Sequence, residues 1–205
     1  MGSIILASSD SWLEIAKMVG ALTAFVVGLL HYRLGQKWKR AQFVADEVRR
    51  FRDNPKVAMA VAMLDYNEKR LPLFPDTQGD GRFQLVNDGA VAAALEDADR
   101  ADAQLARVED AIRDCFDEFF DGLERFECFI RANLVTVKEF EPYLLYLLER
   151  VVGLAGRGKP WQQKPNEFTK NLCRYATDYY YDEVEKLFSR YHRPLNKPAL
   201  VPPPN

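Results

Sequence analysis

The longest apolar stretch of the chain lies near its N-terminus, between Trp12 and Trp38. Its central part, residues 15–34, contains only two charged side chains, one near each end. At roughly 1.5 Å per residue, a helix of this length extends about 30 Å, which matches the hydrocarbon core of a bilayer. The pattern therefore predicts one membrane-spanning helix within residues 12–36, preceded by a short tail of residues 1–11.

Two other structures fit an apolar stretch of this length: a cleaved secretory signal and the buried core helix of a soluble protein. A signal carries a basic segment before its apolar run, whereas here Asp10 and Glu14 precede it. His31 and Tyr32 then stand where a cleavage site needs small residues. We therefore favour a span that is retained.

Basic residues are concentrated on the C-terminal side of the predicted span. Residues 31–56 hold eight Lys or Arg against three Asp or Glu, whereas residues 1–11 hold no Lys or Arg. Because basic flanks stay in the cytoplasm, the C-terminal domain, residues 37–193, is predicted to be cytoplasmic. Basic and amphipathic aromatic side chains also favour the headgroup region of a membrane. We expect seven residues there: Trp12, Trp38, Lys37, Lys39, Arg40, Arg49 and Arg50.

The rest of the chain repeats apolar residues at helical spacing, which is typical of a helical bundle. The first helix is expected to extend to about Arg52, and Asn54 and Pro55 have the capping chemistry to begin the second, through about Glu68. Further helices are predicted at about 88–97, 105–133, 137–151 and 166–191. Two short segments, 70–74 and 82–86, flank a Gly-rich turn and predict a hairpin. The expected fold is mainly α, with about five helices in the cytoplasmic domain, one possible short hairpin and a disordered Pro-rich tail at 194–205.

The most regular of these helices, at about 105–133, has two contrasting faces. Its apolar stripe is formed by Ile112, Phe116, Phe119, Leu123, Phe126 and Ile130. An acidic stripe with the same spacing is formed by Asp110, Asp114, Asp117, Asp121 and Glu124. We expect the acidic stripe to face away from the core, either as a solvated face or as a docking face for a basic protein surface.

Small residues recur at every fourth position of the predicted span, at Gly20, Ala24 and Gly28. Such a strip lets a second helix approach closely. Besides the lipid bilayer, the expected partner is therefore another membrane protein or a second copy of the chain.

Two loops resemble ligand-binding motifs in part. The segment Gly153–Lys159 has the glycine and lysine spacing of a phosphate-binding loop, but Pro160 stands where a Ser or Thr would hold magnesium. The segment Asp76–Asn87 begins like a calcium loop, but Asn87 replaces its bidentate glutamate. We therefore expect a connector and a hairpin turn, with no cofactor and no metal.

The inventory of reactive side chains is small. Cys115, Cys128 and Cys173 are scattered without a Cys-x-x-Cys pair, as is usual in a reducing compartment. With His31 and His192 as the only histidines, we can name no catalytic residue and no His-rich metal site. We predict a protein without enzymatic activity and without a nucleic-acid partner. The alternative is a membrane-tethered enzyme or ligand sensor that uses one of the two loops.

Three segments combine these patterns: FRDNPKVAMAVAMLDYNEKRLPLF (51–74), IRDCFDEFFDGLERFECFI (112–130) and EFEPYLLYLLERV (139–151). Together they resemble a family of bacterial single-pass, membrane-anchored helical proteins that has no established activity, over most of residues 12–190. The resemblance implies a bacterial inner-membrane setting and carries over no catalytic residue. With the features above, it leads us to expect an accessory or assembly subunit of a larger inner-membrane complex.

Overall fold

A computed structural model describes residues 4–96, 103–153 and 166–195 of the chain. In these ranges the protein is mainly helical, with seven α-helices and one antiparallel sheet of two strands. The chain divides into two compact units, the first ending at Phe43 and the second beginning at Val44. The prediction of a mainly helical fold is confirmed.

Helix α1 runs from Ile4 to Asp53. It begins eight residues before Trp12, where we expected it to start, because residues 4–11 contain no Gly or Pro to end a helix. From Glu14 onward it is long and apolar enough to cross a membrane, judged by length and composition, and no residue of its most apolar window is buried. The first unit is thus a single exposed helix in the part that the structure describes.

The remaining elements belong to the second unit. Helices α2 to α7 are Pro55–Asp65, Asp88–Ala94, Ala103–Arg131, Val137–Val151, Asn166–Asp178 and Asp182–Arg190. Helix α2 starts as predicted, because Asn54 accepts the backbone N–H of Lys56 at 3.0 Å and Pro55 holds the first position. Helix α5 also starts as predicted, because the Glu139 carboxylate accepts from the Thr136 backbone N–H at 2.6 Å.

The predicted hairpin is present. Strand β1, Glu68–Leu71, pairs antiparallel with strand β2, Gln84–Asn87. Leu71 and Val86 point inward and are buried, while a short 3₁₀ helix at Gly79–Arg82 lies in the connection. The two strands are displaced by about two residues from the predicted segments.

Helix α4 is the centre of the second unit and packs against α2, α3 and α7. All six residues of its predicted apolar stripe are buried. Cys115, Phe120 and Glu127 are buried as well, so the covered arc of α4 is wider than a single stripe. This greater width follows from the position of α4 between several helices.

The last turns of α1 pack onto α4 through Phe51 and Gly122. Phe51 is 2% exposed, and its ring lies 5.7 Å from that of Phe119 and 5.2 Å from that of Phe126. A Cβ atom on Gly122 would come within 2.4 Å of the Phe51 ring. Glycine therefore stands in the middle of α4 because the ring occupies the space of a side chain.

Replacing Gly122 with Ala is expected to destabilise the protein by about 1–3 kcal/mol. Alanine forms helices better than glycine by about 1 kcal/mol, but the clash with a packed ring outweighs that gain. Denaturant unfolding followed by circular dichroism measures the difference. The control is Gly35→Ala, since a Cβ at Gly35 meets nothing within 4 Å. Stabilisation by Gly122→Ala would contradict the packing.

The prediction of one helix at 166–191 is wrong. Helix α6 ends at Asp178, and α7 begins at Asp182. Tyr180 between them has a φ of 61°, and the N–H of Tyr181 donates to the carbonyl of Ala176 at 3.1 Å. This left-handed turn closes α6 in the way that a glycine usually does. The second unit therefore has one helix more than predicted among its described residues.

Candidate functional site

The small-residue strip lies open on α1. Gly20, Ala24 and Gly28 are exposed, and a Cβ at either glycine would have no neighbour within 4 Å. Their spacing of four residues places them on one face of the helix. The strip therefore offers room for the backbone of a second helix.

The residues expected at a membrane surface fall into two groups. Trp12 and Trp38 are 71% and 74% exposed, and Lys37, Lys39 and Arg40 are also exposed in the first unit.

Arg49 and Arg50 belong to the second unit. The guanidinium of Arg50 donates to the carboxylate of Glu47 at 2.8 Å, and Glu47 is only 5% exposed. The Arg125 guanidinium lies 4.0 Å from the same carboxylate. Arg50 therefore takes part in the internal charge balance of the helical domain.

Part of the acidic stripe of α4 is exposed as expected. Asp110 is exposed and lies 4.0 Å from Arg113, while the carboxylate of Asp114 accepts from the Lys56 ammonium at 3.2 Å. That hydrogen bond raises the pKa of Lys56. Asp121 is exposed too, and the pKa of its carboxyl is raised by partial burial and by the negative charge of Asp117. These carboxylates can meet a basic partner.

The expectation that the whole stripe faces away from the core is wrong for Asp117 and Glu124. One oxygen of Asp117 accepts hydrogen bonds from the hydroxyls of Tyr175, at 2.6 Å, and Tyr181, at 2.9 Å. Glu124 accepts the backbone N–H of Glu183, at 3.3 Å, at the start of α7. The reason is the wide covered arc of α4, whose edges reach both carboxylates.

Replacing Asp117 with Ala is expected to cost about 3 kcal/mol of stability, because two tyrosine hydroxyls lose a charged acceptor. Tyr175 is 3% exposed, so water cannot easily replace the lost bond. The matched control is Asp121→Ala, four residues along the same helix, which is expected to stay within about 0.5 kcal/mol. Denaturant unfolding compares the two. Equal effects would show that the tyrosines do not depend on Asp117.

The buried ion pair between α4 and α7 was not predicted from the sequence. Glu127 is fully buried, and Arg190 donates to its carboxylate in a bidentate arrangement at 2.6–2.8 Å. Its position does carry a signal, because Glu127 follows Phe120 by seven residues and Leu123 by four. A carboxylate at a buried position of a helix needs a cation as partner. Arg190 is placed to supply it, because it follows the buried Leu187 by three residues and so lies on the same face of α7.

A surface groove of about 640 Å³ lies over this ion pair. It is lined by Glu127, Arg131, Asp182, Glu185, Lys186, Ser189 and Arg190. Its three cations are all paired: Arg190 with Glu127, and Arg131 and Lys186 with Glu183. Because these cations are already neutralised and Asp182 and Glu185 add negative charge, the groove does not favour an anion.

The loop resembling a calcium site lies within the hairpin. Asp80, at its fifth position, is paired with the Arg70 guanidinium at 3.0 Å, and strands β1 and β2 flank the loop instead of two helices. In the described ranges, no group of three or more His, Cys, Asp or Glu side chains is placed to hold a metal ion.

The loop resembling a phosphate site lies outside the described residues except for Gly153. That glycine has a φ of +69°, and its N–H donates to the carbonyl of Arg150 at the end of α5. Gly153 therefore caps the C-terminal end of α5.

The three cysteines are free thiols. Burial raises the pKa of both Cys115 and Cys173 to about 12, so these thiols stay protonated near neutral pH. A thiol in that state is a poor nucleophile.

Comparison of the chain with models of known protein families, with curated proteins and with solved structures gives no match. The resemblance drawn from residues 51–74, 112–130 and 139–151 therefore stays a prediction.

Proposed function

We propose that the chain is a single-pass protein of the bacterial inner membrane whose helical domain lies in the cytoplasm. We further propose that it acts without enzymatic activity, as an accessory or assembly subunit of a larger membrane complex. The observation that carries this proposal is the exposure of the apolar part of α1.

Ten large apolar side chains between residues 15 and 34 are 42–69% exposed. They are Ile15, Met18, Val19, Leu22, Phe25, Val26, Val27, Leu29, Leu30 and Leu34. Removing these side chains from water would gain on the order of 10–20 kcal/mol of free energy, as much as the whole stability of a typical domain. A helix of this kind therefore needs a cover other than water.

The arrangement of these side chains favours lipid as that cover. Phe25, Val26 and Val27 are consecutive and all exposed, so the apolar surface surrounds the helix. A helix that pairs in water keeps a polar face on its other side. The Thr23 hydroxyl also donates to the Val19 carbonyl at 2.8 Å, which satisfies it without water.

The orientation can be tested with reporters fused to the C-terminus in a bacterium. A reporter that is active only in the cytoplasm is expected to work, and one that needs the periplasm is expected to stay silent, because the basic residues follow the span. The reverse pattern would contradict a cytoplasmic domain.

The interaction part of the proposal has two supports in the described residues. The open strip at Gly20, Ala24 and Gly28 permits close packing of another transmembrane helix. The exposed carboxylates of Asp110, Asp114 and Asp121 can attract a basic surface.

Gentle detergent extraction followed by native gels and mass spectrometry tests this part. The wild-type chain is expected in an assembly that Gly20→Leu with Gly28→Leu releases, because the larger side chains block close approach. Val19→Leu with Val27→Leu is the control, since it has the same spacing on a neighbouring face. If the wild-type chain ran as a lone monomer, the subunit proposal would be refuted.

A further inference from the structure

Four cations lie together at the C-terminal end of the apolar part of α1: Arg33, Lys37, Lys39 and Arg40. All four are exposed, and none forms an ion pair within the part of the chain that the structure describes. The sequence contains no Asp or Glu between Ile15 and Ala45 that could neutralise them.

Many cations of the second unit are instead paired with a carboxylate of the same unit. Lys56 lies 3.2 Å from Asp114, and the guanidinium of Arg193 lies 3.0 Å from Glu149. Arg131, Arg150 and Arg190 are also paired with carboxylates of other helices in this unit, and the pair of Arg190 includes the buried Glu127. Many cations of the helical domain therefore have a carboxylate partner within the domain. The four cations of α1 have no such partner among the described residues and are open to an anion from outside.

Two aromatic side chains lie among these cations. Tyr32 is 64% exposed and Trp38 is 74% exposed. Such rings favour the boundary between lipid tails and headgroups, where the polar edge of the ring meets water and its apolar body meets lipid. The segment thus pairs cations with residues of an interface.

We infer that residues 32–40 bind anionic phospholipid headgroups, an assignment that rests on the proposed membrane span. The segment extends about 12 Å along the helix, enough to pass through one headgroup region. Arg33, Lys37 and Arg40 are spaced by four and three residues and share one face, which can hold neighbouring lipid phosphates. Lys39 lies on another side of the helix. The annulus around α1 is thereby enriched in anionic lipid.

The test uses the full chain reconstituted in phosphatidylcholine bilayers with a trace of spin-labelled lipid. Electron paramagnetic resonance measures the lipid that is immobilised beside the protein, for labelled phosphatidylglycerol and for labelled phosphatidylcholine. Phosphatidylglycerol is expected to associate about threefold or more strongly at low salt, and the preference is expected to fall at high salt.

The variant R33Q/K37Q/K39Q/R40Q is expected to bring that ratio to about one. The control R82Q/R107Q/K138Q/K170Q removes the same charge from exposed cations of the second unit that form no ion pair among the described residues. It is expected to keep the wild-type ratio. A control variant that lowered the ratio equally would overturn the assignment.

The two labelled lipids also separate this inference from the proposed span. Immobilised phosphatidylcholine shows that the helix is in the bilayer, whichever headgroup it prefers. A wild-type ratio near one, with lipid immobilised, would overturn the headgroup assignment. An acidic protein surface would then be the remaining partner for the four cations. If no lipid were immobilised, the span and the assignment would fall together.

Discussion

Replacing Leu22 and Val26 together with Asp is expected to remove the protein from the membrane. Each acidic side chain near the middle of a span costs about 2.5–3.5 kcal/mol, and the apolar contribution of the replaced residue is lost as well. The pair therefore costs about 6–8 kcal/mol. Fractionation of salt-washed membranes should find the variant in the soluble fraction, in aggregates or degraded.

Two controls accompany this experiment. Leu22→Ile with Val26→Leu keeps the positions apolar and should stay in the membrane. Lys138→Asp with Lys170→Asp adds acidic side chains at exposed positions of the helical domain and should stay there too. A double Asp variant that remained in the membrane would contradict a span at residues 15–34.

The second large effect is expected at alkaline pH, where the helical domain should lose stability. Burial raises the pKa of the Cys115 and Cys173 thiols from 9.0 to about 12. Burial also raises the pKa of Tyr175 and Tyr181, with Asp117 adding to the effect. The folded domain keeps these protons at a pH where the unfolded chain releases them.

The sign of the pH dependence follows from these raised pKa values. The contribution to stability is complete below about pH 8 and is lost as the pH rises from 9 towards 12. Each tenfold difference in proton affinity between the folded and the unfolded chain is worth about 1.36 kcal/mol. Between pH 8 and pH 11 the titration of the two thiols alone is therefore expected to lower the free energy of unfolding by on the order of 5 kcal/mol. That is comparable to the whole stability of many domains.

Urea unfolding of the full chain in detergent and reducing agent measures this effect at pH 8, 9.5 and 10.5. The midpoint is expected to fall steadily across that series. In the variant Cys115→Ala with Cys173→Ala, the fall should be shallower, because two of the titrating groups are gone. A wild-type midpoint that did not move between pH 8 and 10.5 would contradict the burial of these groups.

Much of the fold could be predicted because its signals involve residues that are close together in the sequence. Asn54 with Pro55 and Thr136 with Glu139 carry their capping chemistry within a few residues, and the structure uses both pairs. The apolar stripe of α4 has a regular period, and all of it is buried. Such signals need no knowledge of which helices are neighbours.

The features that were missed depend on neighbours distant in sequence. The turn between α6 and α7 has Tyr180, not Gly, in a left-handed conformation, at a cost of about 1–2 kcal/mol. It is accompanied by the hydrogen bonds of Tyr175 and Tyr181 to Asp117, which is about 60 residues away. From its spacing in the acidic stripe alone, Asp117 is therefore predicted to lie on the surface. Local spacing cannot reveal a bond between two helices whose packing is unknown.

The same limit applies to the candidate sites. The sequence indicates the strip at Gly20, Ala24 and Gly28 because it lies within one helix. It did not show that Glu47 and Arg50 pair within the domain, since Glu47 is buried only by contacts with other elements. As a result, the basic residues 31–56 include cations such as Lys37, which has no ion pair among the described residues, and Arg50, which is paired within the domain.

Depth-dependent fluorescence quenching tests the proposed span most directly. Trp12 and Trp38 are 26 residues apart, about 39 Å along a helix, which is close to the full thickness of a bilayer with its headgroups. Single-tryptophan variants would keep Trp12, keep Trp38, or carry Phe25→Trp, with Trp161 and the other native tryptophans replaced by Phe. Each would be reconstituted in bilayers of lipids brominated at different depths.

A spanning helix places the tryptophan at position 25 near the bilayer centre, so deep bromines should quench it most strongly. Trp12 and Trp38 should respond most to bromines near the headgroups, from opposite sides of the membrane. A tryptophan at position 25 that was unquenched, or quenched at the same shallow depth as the other two, would contradict the membrane span.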